Sequence, residues 1–308
     1  MKDIIKKVRR LEIKIRKMVD NTFAGEYHSA FKGQGLEFDE VRPYQYGDDI
    51  RTIDWNVTAK MGQVFIKKFR EEREQTLFVL FDVSGSGDFG PAEENKRLIG
   101  MEIASLLAFS ALKNNDKFGL ATFSDQIETY YKPNKGRKHI LKIVQGVLSH
   151  QNRSEQTYLG MALDFVKHTL KRRSILIVIS DFLDQGYEQS LIQLSKRHEV
   201  ILIRLFHPNE VFHVGTGIIP VVDIETQQYR WLNAGDMGYR SMLEESFDQI
   251  RADLEELSRR NRIDMISVNT QEDYFPVLES FFRTRSQRRE SGKSRKKSSK
   301  SPQQSRPA

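Results

Sequence analysis

The residues best suited to chemistry in this sequence are oxygen donors. Asp82, Ser84 and Ser86 alternate along Asp82-Val83-Ser84-Gly85-Ser86-Gly87-Asp88, directly after the apolar run Leu77 to Phe81. Asp181 follows a second apolar run, Ile175 to Ile179, and Thr157 stands in a loop between the two, just before a helical segment. Magnesium takes hard oxygen ligands in octahedral geometry, keeps several waters and needs few direct carboxylates, so this donor set suits it. Two carboxylates would neutralise the ion only in part and leave it electrophilic. An open position could then accept a carboxylate from a partner protein. Taken singly, each of these residues also suits a helix cap or a turn. Five together at one sheet edge favour a metal.

The elements that must position them follow from periodicity. Short β-branched or aromatic runs at Thr76–Phe81, Phe118–Phe123, Ile127–Tyr131, Ser174–Ser180, Val200–Phe206 and Ile263–Val268 read as strands. Helical segments separate them at Glu93–Lys113, Lys138–Leu148, Leu159–Leu170, Tyr187–Lys196 and Tyr239–Arg260, and a further one closes at Tyr274–Phe282. Val221–Glu225 and Gln228–Leu232 suggest a hairpin. Continuous apolar strands alternating with helices predict an α/β fold, a doubly wound and mostly parallel sheet of Rossmann type. In such sheets the working residues gather at the carboxyl ends of strands where the strand order reverses.

Three regions are expected. Residues 1–75 form an N-terminal segment packed on the main domain. It opens with a basic amphipathic helix carrying Ile4, Val8, Leu11, Ile15 and Met18, then continues through loops and short strands. Residues 76–282 form the α/β domain. Residues 283–308 hold ten Lys or Arg, one acid and no apolar residue before Ala308, which predicts a disordered basic tail.

Several chemistries are excluded or disfavoured. The chain has no cysteine, so disulfides, thiolate metal sites and cysteine nucleophiles are ruled out. Gly85-Ser86-Gly87-Asp88-Phe89-Gly90 satisfies the dinucleotide-binding spacing. A pyrophosphate there would nevertheless meet Asp82, Asp88, Glu93 and Glu94 before the first base, Lys96. A serine hydrolase needs glycines flanking its nucleophile at both outer positions, whereas Ser84 and Asp88 flank Ser86. The seven histidines are scattered without metal-ligand spacing. The expectation is a chain with no catalytic constellation. A metal-assisted phosphohydrolase using the same carboxylates is the alternative.

The formal charge of +7 is a property of the two ends, since residues 18–282 carry 31 bases against 39 acids. The body therefore gives no reason to expect nucleic acid, and the basic tail lacks the interleaved aromatics of a stacking platform. The apolar runs are far shorter than a membrane span needs, and the opening residues lack the apolar stretch of a secretory signal. A cytoplasmic location is expected, with weak peripheral membrane contact open to residues 1–20. Oligomeric state is not legible.

Asp82-x-Ser84-x-Ser86, Thr157 and Asp181, in this order on this topology, resemble the metal-ion-dependent adhesion site of a von Willebrand factor type A domain. A longer resemblance covers residues 25–282. Gly33-x-Gly35-x-Glu37-Phe38, Arg42-x-Tyr44, Gly47-Asp48-Asp49-x-Arg51-x-Ile53-Asp54-Trp55 and Thr58-Ala59-Lys60 are similar to the opening signature of the bacterial domain of unknown function 58 family. The resemblance implies a von Willebrand A-like domain binding magnesium, or manganese or calcium, through Asp82, Ser84, Ser86, Thr157 and Asp181. It also implies a protein partner, a MoxR-type AAA+ ATPase, for which the chain would act as adaptor or co-chaperone. One departure is Gln156, where a glycine would be expected before the threonine.

Overall fold

In the computed structural model the described residues are 13, 15, 18, 19, 24–31, 36–71, 75–89, 91, 95–150, 154, 156–210, 218–222, 229–233 and 237–298. The chain forms two compact units, residues 31–75 and residues 1–30 with 76–308. In chain order the elements are helix α1 (Ala24–Phe31), strand β1 (Leu36–Pro43), helix α2 (Trp55–Met61), β2 (Phe65–Glu71), β3 (Thr76–Asp82), α3 (Lys96–Lys113), β4 (Lys117–Phe123), β5 (Ile127–Asn134), α4 (Arg137–Leu148), α5 (Leu159–Thr169), β6 (Ile175–Ser180), α6 (Glu188–Arg197), β7 (Glu199–Phe206), β8 (Ile218–Val222), β9 (Tyr229–Asn233), α7 (Met237–Asn261), β10 (Asp264–Asn269) and α8 (Tyr274–Ser298).

The larger unit is the doubly wound α/β fold expected. Its six-stranded sheet has the order β10-β7-β6-β3-β4-β5, and only the edge strand β5 runs antiparallel. Counted along the chain this is strand order 3-2-1-4-5-6, with the reversal between β3 and β6, so the crevice at the strand ends opens there. Period-two alternation divides the strand residues between two covered faces. Phe78, Leu80, Leu176, Val178 and Leu202 pack with Leu159, Leu163, Leu191 and Leu254 of the helices on one side. On the other side Gly100 of α3 lies so close to Phe81 and Leu205 that a Cβ there would stand 2.4 Å from the Phe81 ring.

The smaller unit departs from the expectation of loops and strands alone. β1 and β2 pair antiparallel with an irregularity at Phe38 to Glu40. Between them α2 forms because the Asp54 carboxylate caps it, accepting from the Asn56 and Val57 amides, and Gly62 ends it at φ 68°. The signature acids are paired internally. Asp48 takes both arms of the Arg42 guanidinium at 2.7 and 2.9 Å, Asp49 pairs with Arg51, and Asp54 with Lys67. The Arg42 hydrogen bond holds the Asp48 carboxyl below the usual range.

Of the two terminal expectations, only that for the C-terminal tail departs from the structure. Of the N-terminal amphipathic segment, Ile13, Ile15 and Met18 are helical, and Ile15 and Val19 are buried. Ile4, Val8 and Leu11 lie outside the described residues. At the other end α8 does not stop at Phe282 but continues through Ser298, into the region expected to be disordered. Composition missed the reason. Arg285 is buried and pairs with Glu199 and Asp264, so polar contacts rather than apolar burial hold this turn of the helix. Residues 299–308 lie outside the described residues. The hairpin is found at β8 and β9, beginning three residues before the expected start.

Gly100→Ala checks the fit of α3 on the sheet. Inside an exposed helix this change gains up to about 1 kcal/mol. Here the added methyl meets the buried Phe81 ring, and overpacking of this kind costs about 1–3 kcal/mol. The variant should have a lower denaturant midpoint than wild type, and a raised midpoint would refute the close packing.

Candidate functional site

The β3 strand ends at Asp82, and the turn after it is held from three directions. The Val83 amide donates to the Phe123 carbonyl at 2.8 Å, which keeps the turn level with the end of β4. The Ser84 amide donates to Asp82 Oδ1 at 3.0 Å, an Asx-type turn that folds the chain back over the carboxylate. Gly85–Asp88 then makes a short 3-10 turn that brings the Ser84 and Ser86 hydroxyls to 3.2 Å, within one hydrogen bond. From α3, Arg97 donates to the carbonyls of Val83 and Ser84 at 3.2 and 3.1 Å and pairs with Asp88 at 2.9 Å.

The neighbouring strand closes the site. Ser180 at the end of β6 donates its hydroxyl to Asp82 Oδ2 at 2.7 Å. Asp181 follows, with Oδ1 accepting from the Leu183 amide at 3.3 Å, and the Ser86 hydroxyl is among the groups that hold its carboxyl low. The next residue, Phe182, adopts φ 59°, a left-handed conformation that a bulky side chain rarely takes. Such strain persists only where the surroundings over-determine it, and it gathers at functional sites. Asp82, Ser84 and Ser86 therefore share one hydrogen-bonded network with Ser180, and Asp181, the residue after Ser180, stands beside it at the carboxyl ends of β3 and β6.

Thr157 is half-buried in the loop that enters α5. Its neighbour Tyr158 donates its amide to the Ser124 carbonyl at 3.0 Å, just past the end of β4, and Leu159 donates to Asp184 Oδ2 at 2.7 Å. These two bonds fix the loop to the same edge of the sheet.

Four residues at the site were not among the sequence candidates: Lys96, Glu210, Ser180 and Arg97. The Lys96 ammonium, 3% exposed, lies 2.5 Å from Asp181 Oδ2 and 2.5 Å from Glu210 Oε1. The first base after Asp82, Asp88, Glu93 and Glu94 in the chain thus sits inside the cluster, bound to Asp181 and Glu210. One signal was readable. Lys96 and Arg97 occupy the first turn of a helix, where the macrodipole disfavours cations, so both needed partners from elsewhere.

The electrostatics follow from burial and these partners. Burial, and then the charge of Asp181, push the Asp82 carboxyl up to about 6, against the ordinary value of about 3.9. Burial also pushes Asp181 upward, but the charge and hydrogen bond of Lys96 outweigh it and hold Asp181 below its usual range. Lys96 is itself held above its ordinary value, because Asp181 and Glu210 together overcome desolvation. Among the described residues no group of three His, Asp or Glu side chains could hold a metal. What converges instead is two buried carboxylates with hydroxyls, and one carboxylate is short of positive charge. That donor set fits a hard divalent cation with retained waters.

A doubly wound α/β domain carrying paired acids and hydroxyls at its switch point is the class this fold and site define. The chain belongs to the family Protein of unknown function DUF58, whose model matches residues 40–253. An uncharacterized protein, Rv1480, of Mycobacterium tuberculosis is 26% identical over 90% of this chain and 88% of its own length. Among solved structures, the conserved hypothetical protein BatB of Bacteroides thetaiotaomicron is similar with a TM-score of 0.45. It is 14% identical and is matched over 70% of this chain and 98% of that one. Proximal thread matrix protein 1 of the mussel byssus, with a zinc-occupied MIDAS motif, gives a TM-score of 0.38 at 16% identity over 68% of this chain and 46% of that one.

Two expected outcomes test the electrostatics. Lys96→Met strands the buried Asp181 carboxylate and half-buried Glu210, and breaking a buried pair costs about 3–5 kcal/mol. Urea unfolding in chelator should show that loss, and an unchanged midpoint would sink the buried ion pair. The second concerns pH. A carboxyl whose folded value is raised contributes stability in full below its unfolded value, and that contribution is lost as pH rises through the folded value. For Asp82 the window runs from about 4 to about 6 and spans about 3 kcal/mol. Asp181, held low, acts in the opposite sense and only below about 4. In metal-free protein, Asp82→Asn should gain on wild type as pH rises from 4 to 6. A difference flat across that range would contradict the raised value.

Proposed function

We propose that this chain is a metal-dependent protein-interaction module. Asp82, Ser84, Ser86, Thr157 and Asp181 would hold magnesium, or manganese or calcium, partly through water. When bound, the ion supplies an electrophilic position for an acidic side chain of a partner. The observation that carries this reading is the approach of Asp82 and Asp181, from strands on either side of the order reversal, beside the hydroxyls of Ser84 and Ser86, with Ser180 next to Asp181 bonded to Asp82. Lys96 and Glu210 border that network, and Lys96 sets how much negative charge remains for an ion to neutralise.

By family resemblance the partner is a MoxR-type AAA+ ATPase, for which the chain serves as adaptor or co-chaperone in the cytoplasm. The signature segment offers apolar surface for such a partner, since Tyr46, Ile50 and Trp55 are all exposed. Among the described residues no helix is long and apolar enough to cross a membrane. Residues 1–20 are the part suited to weak contact with an anionic lipid surface.

Calorimetric titration tests the site. Magnesium should bind wild type with a saturable isotherm that Asp82→Ala abolishes, and equal binding by both, or by neither, would refute it. Capture of a MoxR-type ATPase from native lysate should then fail in chelator, and capture that persists would remove the metal from the interaction.

A further inference from the structure

The opposite end of the sheet carries a second constellation that the proposed function does not use. At the amino ends of β7 and β10 a cleft of about 940 Å³ opens between α7, α8 and the sheet. Five arginines and three acids line it, and the acids are largely spent. Glu199 and Asp264 both pair with Arg285, and Glu255 lies 4.0 Å from Arg251. Arg173, Arg259, Arg262 and Arg288 line the same cleft and have no ion-pair partner among the described residues.

One wall is built by His198, which is 3% exposed and has no hydrogen-bond partner at either ring nitrogen among the described residues. A buried imidazole left with both nitrogens unsatisfied costs stability that packing alone does not return. Burial, then the charges of Arg197 and Arg173, hold its protonation below the usual range, so near neutral pH the ring carries one donor and one acceptor. Arg262 adds a second anomaly. It sits at φ 55° just after α7, a left-handed position that ordinarily takes glycine or asparagine. The turn that ends α7 requires this conformation, since the Ile263 amide donates to the Ser258 carbonyl at 2.9 Å and the Arg262 amide to the Arg259 carbonyl at 3.4 Å, yet the residue filling it on the cleft is an arginine.

The geometry points to an anion site here, for a phosphate ester of about nucleotide size. Planar guanidinium groups match phosphate oxygens bidentately. The volume falls within the roughly 300–1,000 Å³ of small-ligand pockets. Val200, Ile266, Val277 and Phe281 supply apolar lining for the organic part, and the His198 ring offers the hydrogen bond that now lacks a partner.

The test titrates pyrophosphate and adenosine 5′-diphosphate into the full-length chain at about 150 mM salt, where diffuse attraction is screened. Both should bind saturably, the diphosphate ester more tightly, and the bound ligand should shift the His198 ring nitrogen resonances. Arg262→Gly relieves the left-handed strain, so it should leave Tm unchanged or raise it while weakening both probes about tenfold, as the loss of a guanidinium contact predicts. Citrate should bind worse than pyrophosphate. The site is overturned by the absence of saturable binding, by Arg262→Gly binding like wild type, or by His198 resonances that do not move. Equal binding of citrate would overturn the phosphate assignment, and equal binding of the two phosphate probes would overturn the nucleotide-sized ligand.

Discussion

A single buried ammonium decides what the carboxyl edge of the sheet can hold. Of the three acids here, Asp82 and Asp181 are buried, where an isolated ion costs several kcal/mol in lost hydration, and Glu210 is half-buried. Lys96 pairs with two of them at 2.5 Å each. Asp82 is left with hydrogen bonds from the Ser84 amide and the Ser180 hydroxyl, and with a raised affinity for a proton. Opposing the dipole at the first turn of α3 costs Lys96 and Arg97 about 0.3–1 kcal/mol each. Lys96 offsets this with Asp181 and Glu210, and Arg97 with the Val83 and Ser84 carbonyls and Asp88, so the helix begins with two bases and remains stable.

The same edge shows why the fold had to be this one. Ser180 and Asp82 stand 98 residues apart in the chain, yet share a 2.7 Å hydrogen bond. Parallel pairing in level register, Phe81 opposite Ile179, brings both strands to an end at the same height. Strand order places them side by side at the reversal, where their outgoing chains diverge and leave a crevice. No local turn could assemble this set. The Asp82 turn supplies one carboxylate and two hydroxyls, and only the crossover to β6 adds the second carboxylate.

What could be read in advance follows the range of each interaction. The strands and their alternation with helices were legible because apolar periodicity is local, and with them came Asp82, Ser84, Ser86 and Asp181 at the adjoining ends of β3 and β6. Lys96 and Glu210 were not, since their meaning lies in a contact between α3 and residues 85 or more positions later. The helix Trp55–Met61 was missed because its aromatic and β-branched residues give little periodic signal, although Asp54 and Gly62 mark both its ends. The continuation of α8 was missed for another reason. Composition measures the apolar surface available for burial, and Arg285 is held by charge.

Charge at the other end of the sheet needs more than a general cause. In a parallel α/β fold the helices run back against the strands, so their carboxyl ends gather at the amino edge and attract bases through the macrodipole. This accounts for Arg259 and Arg260 in the last turn of α7, and Arg260 has the ordinary surface pairing with Glu256. The hydrogen-bonded turn that ends α7 requires a left-handed residue at 262, but the dipole does not account for an arginine there, which costs about 1–2 kcal/mol that glycine would not, more than a dipole contact of about 0.3–1 kcal/mol returns. Nor does it explain a buried histidine with two nitrogens unpartnered among the described residues, because a dipole attracts a charged ring, and burial, then the charges of Arg197 and Arg173, oppose protonation of His198. An anionic ligand meets both features at once, since it pairs the arginines and accepts from the imidazole. Net charge says nothing of this. The body is acidic in sum, and its two sheet edges carry opposite signs because their chemistry differs.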